Sequence, residues 1–341
     1  MKRFLIKFML IGIPILIIVI VPLVSYNTSG DLGMLGLIHF DESYRRDFDY
    51  QKADTSQTSY YYSARELLKQ KNADILVIGD SFAHTRETAC RFQDYLSKKC
   101  NINIATLYHN LDIEPLDILV TLLSKNSDQI PKLVIVESVE RAFVRRLLEI
   151  QFDTVLDLDR IYYKSNRGSQ DYIGKTQNFY KKKVGMDRSV VYNVKLNKDL
   201  FTCKGNESDL YFYPKDIYEI CDYDVSKSIE NLELLHNYAM SKGIFLVCMV
   251  AADKYDVYQK FIVDNPYKPN DMLSKGNRFD SLPYFINTKK VLTEAAEIGV
   301  KDIYWADDTH WSPVGAKIVA EEIARKLDSL NVFKDEDIVE K

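Results

Sequence analysis

Five short apolar runs, at residues 74–78, 102–107, 133–136, 244–250 and 302–305, are rich in Ile, Val or Leu and end in turn or polar residues. Runs of this length that do not alternate with polar positions suit strands buried on both faces of a parallel sheet. Between them apolar residues return at helical spacing: Ala89, Phe92 and Leu96; Leu116, Leu119 and Leu123; Val319, Ile323 and Leu327. Alternating strands and helices predict an open, flavodoxin-like three-layer α/β/α sheet, with ligands at the carboxyl ends of its strands.

Two stretches depart from that rhythm. Residues 27–58 are polar and suggest a linker ahead of a domain over 59–330, with a tail at 331–341. Residues 151–223 are polar and Tyr-rich, with β-like pieces at 189–194 and 210–213, and suggest an insertion packed over one end of the sheet. The Tyr rings there either build a small satellite β-core or stack on sugar rings, since each has an apolar face and a hydrogen-bonding hydroxyl.

The N-terminus has a pattern of its own. Lys2, Arg3 and Lys7 precede a charge-free apolar run over 8–24, close to the shortest length that crosses a bilayer core. Asp31, Asp41 and Glu42 follow it, so the charge asymmetry predicts an uncleaved single-pass membrane anchor over 1–26. Its N-terminus would be cytoplasmic and the rest of the chain would work outside the cytoplasm. A cleaved signal peptide is the alternative.

Composition adds limits. Lys plus Arg number 45 against 49 Asp plus Glu, a net charge of -4 with no long basic block, so no nucleic-acid partner is expected. Two disulfides among Cys90, Cys100, Cys203 and Cys221 would suit an extracytoplasmic site, leaving Cys248 as a buried strand thiol, but spacing does not fix the pairing. No CxxC pair or His/Cys cluster has zinc spacing, so no metal is expected.

Two local strings carry the candidate chemistry. Gly79-Asp80-Ser81-Phe82 lies where the first run ends and a helix is expected to begin. Glycine permits a tight turn there, and backbone N–H groups at a helix start can stabilise an oxyanion beside the Ser81 hydroxyl. The second string, Asp307 to Pro313, follows the last run, with Ser312 as N-cap and Pro313 at the first helical position. His310 would then sit in a loop at the same sheet edge as Ser81, with Asp307 or Asp308 folding back to orient its ring. Each string alone also fits an ordinary capping turn; their joint placement favours a serine nucleophile with a His/Asp base.

On these residues the chain resembles the SGNH (GDSL-type) hydrolase superfamily, which carries Gly-Asp-Ser in its first block and Asp-x-x-His in its last. Asp308-Thr309-His310-Trp311 is more similar to the alginate O-acetyltransferase-like branch, as are the string from Pro131 to Arg141 and Asp253-Lys254-Tyr255 with Tyr258. Here the Lys-Tyr and Asp-x-His-Trp strings follow the serine block, whereas in the alginate enzymes they precede it. The general spacing favours Asp307 as the triad acid and the acetyltransferase-like spacing favours Asp308, which is preferred. The superfamily's Gly-x-Asn-Asp block is absent, so Asn110 is the available oxyanion Asn. Arg141, Lys254, Tyr255 and Trp311 are candidate substrate contacts, with Glu137–Arg141 as an alternative buried ion pair. His84 and His109 are expected at the surface or in turns.

The resemblance implies cofactor-free transfer of an acyl group, most simply acetyl, through a Ser81 ester to a cell-surface or secreted polysaccharide. A polytopic membrane acyltransferase is the expected source of the acyl group. Ester hydrolysis on glycans or lipids is the alternative, and a non-catalytic glycan-binding or assembly role is the second.

Overall fold

The computed structural model describes residues 7–16, 30–48 and 56–332, apart from 164–190 and shorter gaps at 37, 39, 42, 71, 86–87, 111, 154, 218–220, 269–271 and 274–277. In chain order the strands are β1 (Thr58–Tyr61), β2 (Ile75–Ile78), β3 (Ile104–Leu107), β4 (Leu133–Val139), β5 (Tyr192–Lys195), β6 (Asp209–Phe212), β7 (Phe245–Ala251) and β8 (Phe285–Asn287). Six of them form one sheet in the order β1-β3-β2-β4-β7-β8, with every pair parallel. β5 and β6 pair antiparallel in a separate ribbon. Ile75, Leu76, Val77 and Ile78 are all fully buried, as the unbroken apolar run demands. Each contributes roughly 1.5–3 kcal/mol by leaving water.

Topology places the site. The chain leaves β2 for β3 on one side and reaches β4 on the other, so the carboxyl end of β2 opens into a crevice between diverging crossovers. Ser81 lies three residues past that strand. The helix Pro313–Ser329 buries Val319, Ile323 and Leu327 and packs against the helix Phe92–Cys100. Its start is capped as the local sequence dictates: the Ser312 hydroxyl accepts the Val314 N–H at 3.0 Å, and Pro313 occupies the first turn. That cap ends the loop carrying His310.

Several expectations are corrected. Residues 302–305 do not form a sheet strand; a single bridge joins Tyr304 to Trp311. Asp302 has a φ of 54°, in the left-handed region, which breaks an extended run at its first residue. Two strands were not expected, β1 at the sheet edge and the three-residue β8, because neither has an unbroken aliphatic run. The expected linker over 27–58 is packed where it is described: Asp31–Gly36 is helical, and Leu32, Phe40 and Tyr44 are buried in the core. All five cysteines are free thiols. Cys100 ends the nine-residue helix Phe92–Cys100 and Cys90 lies two residues before its start, so a helix about 13 Å long stands between them, well beyond the Cα separation a disulfide spans. Cys203 is buried while Cys221 is exposed, where its sulfur caps the helix Asp222–Ser241. Cys248 is a buried thiol in β7, its pKa pushed up to about 12 by burial.

The Tyr-rich stretch is described only outside 164–190, and its described β pieces make the β5–β6 ribbon. Residues 7–16 are helical with exposed apolar side chains. The remainder of the expected 8–24 span lies outside the described residues, among which no helix is long and apolar enough to cross a membrane.

Candidate active site

The turn after β2 is built around Gly79. A Cβ at that position would meet the Glu137 carboxylate at 2.5 Å and the Ala83 Cβ at 2.8 Å, so the close approach of β4 requires glycine. Asp80 then turns inward. Its Oδ2 accepts the Val139 N–H at 2.8 Å and an Arg146 N–H at 2.7 Å, and Glu137 accepts the Asp80 N–H at 2.9 Å. Burial opposes the Asp80 charge, but Arg146 outweighs it and holds the carboxyl below its usual range. Burial, with Asp80's negative charge added, pushes Glu137 well above the ordinary range. This buried lattice fixes the turn and leaves Ser81 facing the crevice.

His310 meets Ser81 there. Its Nε2 lies 2.8 Å from Ser81 Oγ, and its Nδ1 lies 2.7 Å from Asp308 Oδ1. The same carboxylate oxygen accepts the His310 backbone N–H at 3.0 Å, so the two residues lock each other's orientation. Burial opposes the imidazolium, yet Asp308 outweighs it and holds the His310 pKa above the ordinary value. The ring also packs against Phe82 with centroids 4.8 Å apart. Asp307, the other candidate acid, points elsewhere and takes Arg45 N–H groups at 2.9 to 3.2 Å. The two acids lie in a turn and both reach Arg45, but only Asp308 also reaches the His310 ring, which separates their roles.

The His310 loop is held from beneath by Lys254. Its fully buried ammonium donates to the carbonyls of Trp305, Ala306 and Asp308 at 2.7, 3.0 and 3.1 Å. Burial pulls its pKa down to about 8 against the opposing attraction of Asp307 and Asp308. Lys254 therefore builds the loop and does not face the cleft. Tyr255 is also buried and donates to the Lys268 carbonyl at 3.1 Å. Arg141 pairs with Asp253 and Asp216, so the expected Glu137–Arg141 ion pair does not form. Asn110 is turned to Asp112, to which its amide donates at 3.1 Å. The Ser81 N–H has no hydrogen-bond partner among the described residues, which leaves it available to an oxyanion.

A cleft of about 270 Å³ opens beside the triad, lined by Ser81, Asp308 and His310 with Arg45, Trp305, Trp311, Tyr163, His84, Thr85 and Cys90. Trp311 forms its inner wall and donates its indole N–H to the Cys90 carbonyl at 3.1 Å. His84 and His109 are buried, not surface residues. His109 lies between the carbonyls of Gly79 and Asn110, 2.7 and 2.9 Å from its two ring nitrogens, and burial pulls its pKa below the ordinary value, so the neutral ring donates to one of them beside the nucleophile turn. Burial, with His109 adjacent, pulls His84 down to about 3, so it stays neutral.

Sequence reasoning missed Asp31, Arg45, Tyr213 and Trp305. Asp31 accepts the Thr309 N–H at 2.8 Å and the Tyr213 hydroxyl at 2.9 Å. Burial, then the Asp308 charge, push the Asp31 carboxyl up to about 6. One donor atom each from Asp31, Asp308 and His310 fall within 4.8 Å of one another. Each of the three is also hydrogen-bonded, Asp31 to Thr309 and Tyr213, Asp308 to Arg45 and His310 to Ser81.

Comparison with known proteins agrees with the motif-based resemblance over the C-terminal part. Residues 222–338 match the family model for the SGNH hydrolase-like domain, acetyltransferase AlgX. That range takes in β7, Lys254 and the His310 loop, while Ser81 and its turn lie before it. No curated protein matches the chain. Among solved structures, one assigned to the G-D-S-L lipolytic family from Desulfitobacterium hafniense DCB-2 aligns with 12% identity and a TM-score of 0.34, covering 75% of this chain and 100% of that one.

Proposed function

We propose, from the premise of an SGNH hydrolase-like domain of the alginate acetyltransferase type, that this chain is a serine O-acyltransferase acting on a polysaccharide outside the cytoplasm. The observation that carries the reading is the unbroken Ser81–His310–Asp308 chain, at 2.8 and 2.7 Å, opening on an aromatic-walled cleft. His310 Nε2 takes the Ser81 proton as Oγ attacks the donor's acyl carbonyl. Oxyanion charge develops within reach of the Ser81 N–H, and His310 returns the proton to the leaving alcohol. The acyl group now rests on Ser81. A sugar hydroxyl then loses its proton to His310 and attacks the ester, and Ser81 recovers a proton as it leaves. Tyr163, the partly exposed aromatic of the cleft, can present its ring to a pyranose, while the buried Trp305 and Trp311 shape the walls. The charge-free run over 8–24 supports membrane anchoring, and a membrane partner would deliver the acyl group across the bilayer.

The test is product analysis. The full-length chain, incubated with an activated acetyl ester and a set of oligosaccharides, should give acetylated sugar in a Ser81-dependent manner. Free acetate alone, across a broad acceptor set, would replace transfer by hydrolysis. Equal turnover by wild type and Ser81→Ala would end the catalytic reading. Protease added to intact spheroplasts should digest the folded body; its full protection would refute the proposed topology.

A further inference from the structure

The stretch expected to be a linker makes a set of contacts to the His310 loop. Gly33 N–H donates to the Asp307 carbonyl at 3.0 Å, and a Cβ on Gly30 would lie 2.0 Å from that same oxygen. The Tyr44 hydroxyl donates to Asp302 at 2.6 Å and accepts the Ala306 N–H at 3.1 Å. Arg45 bridges both acids: one nitrogen lies 2.9 Å from Asp307 Oδ1 and 2.9 Å from Asp308 Oδ2, and the guanidinium lies 4.6 Å from the Trp305 ring centre. Asp31 holds the Thr309 N–H, and its own N–H approaches Asp308 Oδ2 at 3.4 Å.

We propose that Asp31 and Arg45 are positioning residues of the serine triad, and that residues 30–45 are a strap whose docking on residues 302–309 makes the base competent. The inference rests on the serine-transferase reading and goes beyond it by making the N-terminal segment part of the catalytic unit. Arg45 holds the far oxygen of Asp308, so the near oxygen stays aimed at His310 Nδ1. Asp31 anchors the backbone one residue before His310 and adds negative charge beside the ring. Displacing the strap would release Asp308 and change the field at His310 together.

The charged and titratable groups facing His310 are Asp308 on its own loop, Asp31 and Arg45 on the strap, and Asp80 at the nucleophile turn. Lys254 lies beneath the loop, and Tyr213 backs Asp31. Removing a negative charge lowers the pKa of the base; removing a positive one raises it. In Asp31→Asn the acid limb of kcat/KM should therefore move to lower pH, and in Arg45→Met to higher pH. Each shift should be about half to one pH unit, the Coulomb scale for partly buried neighbours. kcat should fall about tenfold to a hundredfold with KM little changed. Arg45→Lys should return part of the limb position while lacking the fork that spans both acids.

The experiment is the pH profile of p-nitrophenyl acetate turnover by the full chain, with thermal melts of each variant. Opposite limb shifts in folded Asp31→Asn and Arg45→Met establish the strap. If Arg45→Met does not fold, Asp31→Asn and Arg45→Lys decide by the same signs. An unmoved limb in folded Asp31→Asn, with Ser81-dependent turnover intact, overturns the strap and leaves the triad standing. Turnover independent of Ser81 overturns the triad and the strap with it.

Discussion

Asp308→Asn is the sharpest probe of the site, because the structure dictates which tautomer the change enforces. In the wild type, Asp308 Oδ1 accepts from His310 Nδ1 at 2.7 Å while Oδ2 accepts from Arg45 at 2.9 Å. Both oxygens therefore face donors. An amide has one acceptor and one donor end, and the always-charged guanidinium cannot become an acceptor. With its oxygen toward Arg45, the amide turns its NH2 toward His310 Nδ1. The imidazole must then carry its proton on Nε2, where it cannot take one from Ser81. With the oxygen toward His310, the NH2 faces Arg45 and two donors collide. The first arrangement also sets the NH2 against the His310 backbone N–H, but it is favoured, since losing the bond to the charged guanidinium is the costlier loss. A wrong-tautomer base costs about 10⁴-fold in kcat, equivalent to about 5.4 kcal/mol of barrier. Asp307→Asn leaves both His310 contacts in place and should cost at most about tenfold, through a loosened Arg45. The assay is p-nitrophenyl acetate turnover by the full chain, with melts to confirm folding. Asp308→Asn within tenfold of wild type would refute the tautomer reasoning and make the site a Ser-His dyad.

Two further outcomes follow from the same geometry. The wild-type kcat/KM should rise with pH through an acid limb centred above about 6.5, because the base must be neutral and Asp308 holds its pKa above the ordinary value; a limb centred below 6 contradicts that electrostatic account. Gly79→Ala should lower stability by roughly 1–3 kcal/mol, since its Cβ would sit 2.5 Å from Glu137 on β4; an unchanged urea-melt midpoint would show that β4 yields freely.

What the sequence disclosed was local in origin. An aliphatic run, a glycine and a serine are contiguous, and so are a histidine, its acid and the Ser312-Pro313 cap, so the meeting of Ser81 and His310 could be expected from the alternation of elements. The supports of that meeting are not contiguous. Arg45 reaches Asp307 across 262 residues, from a polar stretch with no periodicity to mark it as packed. Lys254 was visible only as part of a Lys-Tyr string, and nothing in that string says that its ammonium is buried under three carbonyls. Asp302 gives no sign in sequence of its left-handed backbone, so the run after it looked like a strand. Cysteine spacing failed for a related reason: Cys90 and Cys100 are near in sequence, but a rigid helix holds them apart.

The two halves of the triad are braced by separate devices, and this bears on how the site can fail. Ser81 stands on a turn fixed by Asp80, Arg146, Glu137 and His109, all anchored to the sheet. His310 stands on a loop closed by backbone bonds such as Trp305 N–H to the His310 carbonyl, and tied by Lys254 from within the domain and by Arg45 and Asp31 from the N-terminal segment. Buried lattices on a parallel sheet open only with the domain, whereas a loop held by side chains from a distant segment can open locally. The nucleophile should thus survive perturbations that disable the base. A fluorophosphonate, which needs the base to raise the reactivity of Ser81, would register loss of the strap well before the sheet unfolds.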